Sequence, residues 1–185
     1  STTICQVVEK LRKLGINVHT TKEPTTGPLG LVVRSSEETL NGNAFACLIA
    51  ADRYHHLKQE IEPALCEGKV VICDRYVESS LVLQVLDGLE IDFVWALNQM
   101  VRRPDLSIIL IASPEVLASR LSQRSILSRF ERTKERSDEV TLYLEAATYL
   151  NLRGYHTIVF NNDPSNYENT VLEITRLILS ILGEA

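Results

Sequence analysis

The sequence predicts an α/β protein with a parallel sheet and helices on both faces. Short apolar runs ending in polar residues recur between stretches whose apolar residues fall at helical spacing, the pattern of strands alternating with helices. The clearest run, Val70-Val71-Ile72-Cys73, passes straight into Asp74-Arg75-Tyr76. A continuous apolar run of that length reads as a buried parallel strand. A chain of 185 residues with 45% hydrophobic content suits a single domain with a substantial core.

The elements follow in order. Ile4, Val7, Val8, Leu11 and Leu14 form one apolar helix face, which Gly15 closes. Residues 16–21 alternate as a strand. Thr25 to Gly30 is a turn-rich loop, a short helix begins at Leu31, and Asn41-Gly42-Asn43 breaks it. A longer helix is expected from about Ala44 to about Glu67. After the 70–76 run come helices at 79–84 and 91–98, then a second buried strand at 106–112. Ser113 is placed as N-cap and Pro114 as first residue of the next helix. An Arg-rich stretch follows, then a helix to Leu152, a third apolar strand at 155–161 and a final amphipathic helix.

Composition removes several function classes. A net charge of −5 argues against a general nucleic-acid surface. Cys5, Cys47, Cys66 and Cys73 stand singly, without zinc spacing, and read as reduced thiols in the cytoplasm. No apolar run approaches the ~20 residues of a membrane span.

The chemistry concentrates at the carboxyl ends of strands, where ligands sit in open α/β sheets. Asp74 and Arg75 occupy such an end. They form either an ion pair closing a strand or a site in which guanidinium grips an oxyanion and carboxylate orients a cation. Asp52 and Arg53, being adjacent, do not share a helix face and read as a solvated charged face. Adjacent helical His55 and His56 point apart, which disfavours a shared metal. Arg120, Arg124, Arg129 and Arg132 form a local basic cluster in an acidic chain.

These segments in this order resemble the thymidylate kinase family of P-loop nucleoside monophosphate kinases. The resemblance rests on Glu23-Pro24 with Pro28-Leu29-Gly30, Ala51-Asp52-Arg53, Cys73-Asp74-Arg75-Tyr76 with Ser79-Ser80 and Gln84, Arg103-Pro104-Asp105-Leu106, Pro114-Glu115-Val116, and Arg120-Leu121 leading to Arg129-Phe130-Glu131. It covers nearly the whole chain. Ser1-Thr2-Thr3 is similar to the residues after the lysine of G-x-x-x-x-G-K-[ST]. That bears on a chain that opens helix-then-strand. An upstream segment ending in Gly-Lys is expected, with its strand in the middle of the sheet. Without it the phosphate-cradling backbone is missing, and a non-catalytic nucleotide-binding protein becomes the reading.

The resemblance implies a three-layer α/β/α kinase-like domain spanning 1–185 with a short Arg-rich lid at about 122–134. The implied reaction moves the γ-phosphoryl group of ATP to dTMP, with Mg²⁺, in a cytoplasmic homodimer. Ser1 and Asp74 would hold the metal, and Thr2 would support the ATP phosphates. Arg120 would stack on adenine, and Arg124 and Arg129 would close from the lid. Arg75 and Arg53 would grip the monophosphate, with Arg34 a third contact, and Gln84 and Ser80 would meet the base. The family departs from this chain at four places. Ile49 stands where an aromatic residue usually stacks on the base, and Leu83 replaces a tyrosine near the deoxyribose. Ile111 replaces an acidic residue, and Thr25-Thr26-Gly27 replaces Gly-Gly-Thr. Phosphate handling is intact and the nucleoside pocket is altered, so another nucleoside monophosphate is the alternative acceptor.

Overall fold

A computed structural model describes residues 2–123, 130 and 136–183. The elements are α1 (Thr2–Lys13), β1 (Val18–Lys22), α2 (Pro28–Ser36), α3 (Gly42–His56), a π-helical turn (Leu57–Ile61), α4 (Glu62–Cys66), β2 (Val70–Asp74), α5 (Val77–Leu86), α6 (Ile91–Asn98), β3 (Ser107–Ile111), α7 (Pro114–Ser122), α8 (Arg136–Asn151), β4 (Thr157–Asn161) and α9 (Tyr167–Leu182). Among the described residues both strand pairings are parallel, as the alternation with helices requires. The chain forms two compact units, Leu11–Arg102 and Ser1–Lys10 with Arg103–Ala185.

In the 11–102 unit, β1 pairs with β2 in the register Val18↔Val70 to Lys22↔Asp74. Helix α3 packs against α2, α5 and α6, and α4 packs against β2. The core includes Val33, Phe45, Ala50, Leu57, Val77, Leu81, Val82 and Val94, all buried. In the other unit, β3 pairs with β4 from Ser107↔Thr157 to Ile111↔Asn161. Helix α8 packs on both of those strands, and α9 packs on β4. Asn151 ties the turn after α8 to β4. Its Oδ1 accepts from Thr157 N at 2.8 Å and its Nδ2 donates to Thr157 O at 3.0 Å.

Three expectations are corrected, and a fourth, the Ser113 N-cap with Pro114 after it, holds in position. All five β2 residues are half-buried rather than buried, because the strand is hydrogen-bonded along only one edge among the described residues. Leu14 is 60% exposed, since the helix ends at Lys13 just before it and Gly15 follows with φ +82°. Helix α2 starts at Pro28, not Leu31. Proline suits a first helical position, where its missing N–H costs nothing, and Leu31 N donates to Gly27 O at 2.9 Å. Ser113 occupies the N-cap position without a side-chain cap; its N–H donates instead to Asp163 Oδ1 at 2.8 Å.

The expected 44–67 helix is continuous in path but not in hydrogen bonding. At its π-helical turn, Glu62 N reaches back five residues to Leu57 O. Pro63 follows immediately, and proline lacks an N–H and crowds the carbonyl four residues earlier. The wider turn absorbs that crowding. It also fixes where Glu60 stands relative to His56.

Candidate active site

The 11–102 unit gathers its polar side chains around Glu23, the residue after β1. Glu23 N donates to Asp74 O at 3.0 Å, extending the strand pairing by one step. The carboxylate is buried, and each oxygen takes one partner. Arg53 Nε donates to Oε2 at 2.8 Å and His56 Nδ1 donates to Oε1 at 3.1 Å. A spacing of three places Arg53 and His56 on one face of α3. That spacing was available in the sequence as the signal for this pair.

Asp52 and Arg53 are not a solvated face: each is only 2% exposed. Adjacent helical residues project about 100° apart, so each is buried against a different neighbour. Asp52 accepts from Thr25 N at 2.8 Å and from Thr25 Oγ1 at 2.6 Å. Arg53 donates through Nη1 to Asn98 Oδ1 at 2.5 Å and through Nη2 to Tyr76 O at 3.0 Å. Its guanidinium also lies over the Tyr76 ring, 5.3 Å from the centroid. Three of its five N–H groups are therefore committed to protein. The sequence placed Arg53 on the monophosphate; the structure makes it first an internal anchor, with two N–H groups left.

Past Glu23, His56 Nε2 faces Thr21 Oγ1 at 2.7 Å and Glu60 Oε2 at 3.4 Å. Burial alone would raise the Glu60 pKa. Hydrogen bonds from His19 and Thr21, with the charges of His56 and His19, outweigh it and leave the carboxyl below its ordinary value. Glu23, His56 and Cys73 bring ligand-type atoms within 4.8 Å of one another. Burial pushes the Cys73 thiol pKa well up, and the charge of Glu23 pushes it further. A protonated thiol and a carboxylate already bound to Arg53 suit a hydrogen-bond network better than a cation cage.

At the carboxyl end of β2, Asp74 is half-buried and Arg75 is exposed. Arg75 has φ +72°, its carbonyl accepts from Cys73 Sγ at 3.1 Å, and its guanidinium makes no hydrogen bond or ion pair among the described residues. It is the only described non-glycine residue with positive φ. Arg34, also exposed, donates through Nη1 to Pro24 O at 2.8 Å and stays beside the loop after Glu23. Ser80 and Gln84 lie one helical turn apart on α5, both buried. Gln84 is 1% exposed, yet neither its Oε1 nor its Nε2 has a hydrogen-bond partner. Ile49 is half-buried on α3.

In the other unit, Thr2 is exposed at the start of α1, and Thr3 is buried and accepts from Asn162 Nδ2 at 3.3 Å. Arg120 Nη2 donates to Asn162 O at 2.6 Å, holding the side chain along the end of β4. Asn162 Oδ1 is buried without a partner. Ser1, Arg124 and Arg129, and almost all of the expected lid, lie outside the described residues. Sequence reasoning left Glu23 open between structure and acceptor contact, and it missed Asn98, Thr25 and His56 as members of the network.

Parallel strands with Asp74 and Arg75 at the carboxyl end of β2, and Asn162 just past β4, fit the α/β class in which ligands are taken at strand ends. A family model described as thymidylate kinase matches residues 1–171. The chain is 38% identical over 179 residues to a probable thymidylate kinase of Caldivirga maquilingensis, covering 94% of this chain and 86% of that protein. It is 34% identical over 178 residues to one of Pyrobaculum aerophilum, covering 94% and 90%. A probable thymidylate kinase of Thermococcus kodakarensis is 32% identical over 190 residues, with 96% and 90% covered. The chain belongs to the thymidylate kinase family.

Proposed function

We infer that the chain transfers the γ-phosphoryl group of ATP to dTMP, giving dTDP and ADP. Gln84 is the observation that carries the acceptor assignment. A buried side chain with both amide atoms unpartnered costs about 1–3 kcal/mol per group unless a ligand satisfies it. An amide presents one acceptor beside one donor, which matches the N3–H and O4 edge of thymine. Ser80, one turn away, lies on the same helix face. Arg75 is the phosphate grip: it is exposed, its guanidinium has no partner among the described residues, and a guanidinium fork suits a phosphate. Arg34 is a third cation beside the Glu23–Pro24 loop. Arg53 gives the acceptor the two N–H groups its protein partners leave.

Asp74 fits a Mg²⁺ role, being a hard oxygen donor at a strand's carboxyl end. The ion, when bound, neutralises developing phosphoryl charge. Thr2 supports the ATP phosphates at the amino end of α1. Arg120, held at the Asn162 carbonyl, offers a planar guanidinium to adenine, and the orphaned Asn162 Oδ1 suits a base amino group. Arg124 and Arg129 complete the charge clamp. Little covalent work falls to the protein; positioning and electrostatics supply the rate. All four cysteines are free thiols, which supports a cytoplasmic setting. Phe93 on α6, 37% exposed, supports a homodimer contact there.

Ile49 and Leu83 favour a second reading, phosphorylation of a different pyrimidine monophosphate. ADP release from ATP-Mg²⁺, measured with the full-length protein against a panel of nucleoside monophosphates, tests both. Turnover of dTMP above the others is expected. Preference for another monophosphate would keep the mechanism and change the acceptor, and no turnover with any would leave a binding role.

A further inference from the structure

We infer that His56 is a positioning residue for the acceptor half of the reaction, holding Glu23 so that Glu23 can hold Arg53. The inference rests on the reading that Arg53 presents its remaining N–H groups to the acceptor nucleotide. His56 acts through two side chains and touches no reacting atom.

The geometry is a relay of fixed contacts. Arg53 Nε and His56 Nδ1 take different oxygens of the same carboxylate, at 2.8 and 3.1 Å. A carboxylate held at one oxygen alone is free to turn about its last torsion, which is broad and only two-fold. Held at both, it presents Oε2 to Arg53 in one orientation. His56 is fixed in turn at its far nitrogen by Thr21 Oγ1 at 2.7 Å. Glu60 Oε2 lies 3.4 Å from the same nitrogen, and His19 Nε2 donates to Glu60 Oε1 at 2.9 Å. The line therefore runs from His19 and Glu60, 31% and 40% exposed, to an imidazole with none of its side chain exposed. The guanidinium lies at its inner end.

Packing alone does not call for an imidazole here. An apolar side chain of similar volume would fill the space without needing partners at two nitrogens. What the imidazole adds is direction: Nδ1 toward Glu23, Nε2 toward β1. An error of about 1 Å at a binding group can cost on the order of a hundredfold in turnover efficiency, so a fixed Arg53 matters to the acceptor site.

Two substitutions separate the roles of the nitrogens. In His56→Asn the amide falls near the Nδ1 position and can still donate to Glu23. In His56→Gln it falls near Nε2 and cannot. Steady-state kinetics on the full-length protein, with dTMP and ATP varied in turn, should show His56→Gln raising KM for dTMP about tenfold or more. The ATP KM should change less than about twofold, and His56→Asn should keep most of the wild-type dTMP KM. Thermal melting of both variants controls for packing. The ¹⁵N-resolved Arg53 Nε–H signal, assigned with Arg53→Lys, should stay slow to exchange in wild type and His56→Asn and become fast in His56→Gln. An unchanged dTMP KM in His56→Gln would overturn the inference. So would equal KM losses in both variants that follow their melting temperatures. If wild type fails to turn over dTMP, the acceptor assignment is at fault, and the Arg53 signal alone then decides the role of His56.

Discussion

Arg75 combines two features that rarely occur together without a use. Its backbone is left-handed at φ +72°, a conformation that costs an ordinary residue roughly 1–2 kcal/mol. Its charge is exposed at a strand end with no partner among the described residues. Neither feature helps the fold, so both are expected to serve the ligand. Arg75→Gly should therefore split stability from binding. Glycine removes the strain, so the variant should unfold no more easily than wild type and gain up to about 1 kcal/mol in denaturant titration. Calorimetry should show the monophosphate affinity falling at least about tenfold, with ATP affinity little changed. Equal weakening of both nucleotides, or a clear loss of stability, would make Arg75 a structural residue.

The elements around the Glu23–Pro24 loop show how one helix and one loop fix each other. A Cβ on Gly30 would lie 1.9 Å from the Thr25 carbonyl oxygen, so α2 approaches the loop as closely as it does only because residue 30 lacks a side chain. From the other side, Asp52 of α3 takes both the N–H and the hydroxyl of Thr25. Gly30→Ala should cost about 1–3 kcal/mol through overpacking against backbone. Asp52→Ala should cost about 2–3 kcal/mol by leaving a buried N–H unmet. Because both act on Thr25, the double variant should lose measurably less than the sum in urea unfolding. Strict additivity would mean that the loop is held elsewhere. This region also marks how far the sequence could be read. Local signals were legible: helical periodicity, the glycine ending α1, and the polar end of β2. The burial of Asp52 and Arg53 was not, because their partners Thr25, Glu23 and Asn98 are 27, 30 and 45 residues away. A charge beside a charge on a helix looks solvated until those partners are known. The same reasoning applies to β2, whose apolar run promised burial while its exposure depends on neighbours along its edges. The orphaned amide of Gln84 is visible only once the helices around it are placed; the sequence reached that residue through family resemblance.

For the whole molecule, the division into two units separates, along the chain, the residues proposed above for the two substrates. Glu23, Arg34, Arg53, Arg75, Ser80 and Gln84 all fall within Leu11–Arg102, and Thr2, Arg120 and Asn162 fall within the unit of Ser1–Lys10 and Arg103–Ala185. Each unit carries its own parallel strand pair and its own buried apolar residues. Local opening in such units has its own free energy, and a ligand that binds only the closed form deepens it by RT ln(1 + [L]/Kd). At a hundredfold excess over Kd this is about 2.7 kcal/mol, roughly a hundredfold slowing of amides that exchange through that opening. Hydrogen exchange on the full-length protein should then separate the ligands. The nucleoside monophosphate should slow amides of β1, β2, α3 and α5 while leaving β3 and β4 near their free rates. ATP added without a divalent cation, so that Asp74 is not recruited, should slow the start of α1, α7 and the end of β4 instead. Protection of β4 by the monophosphate, or of β2 by metal-free ATP, would contradict the division. Protection of both units by either ligand alone would show that they open together, so that the chain behaves as one cooperative body in spite of its two cores.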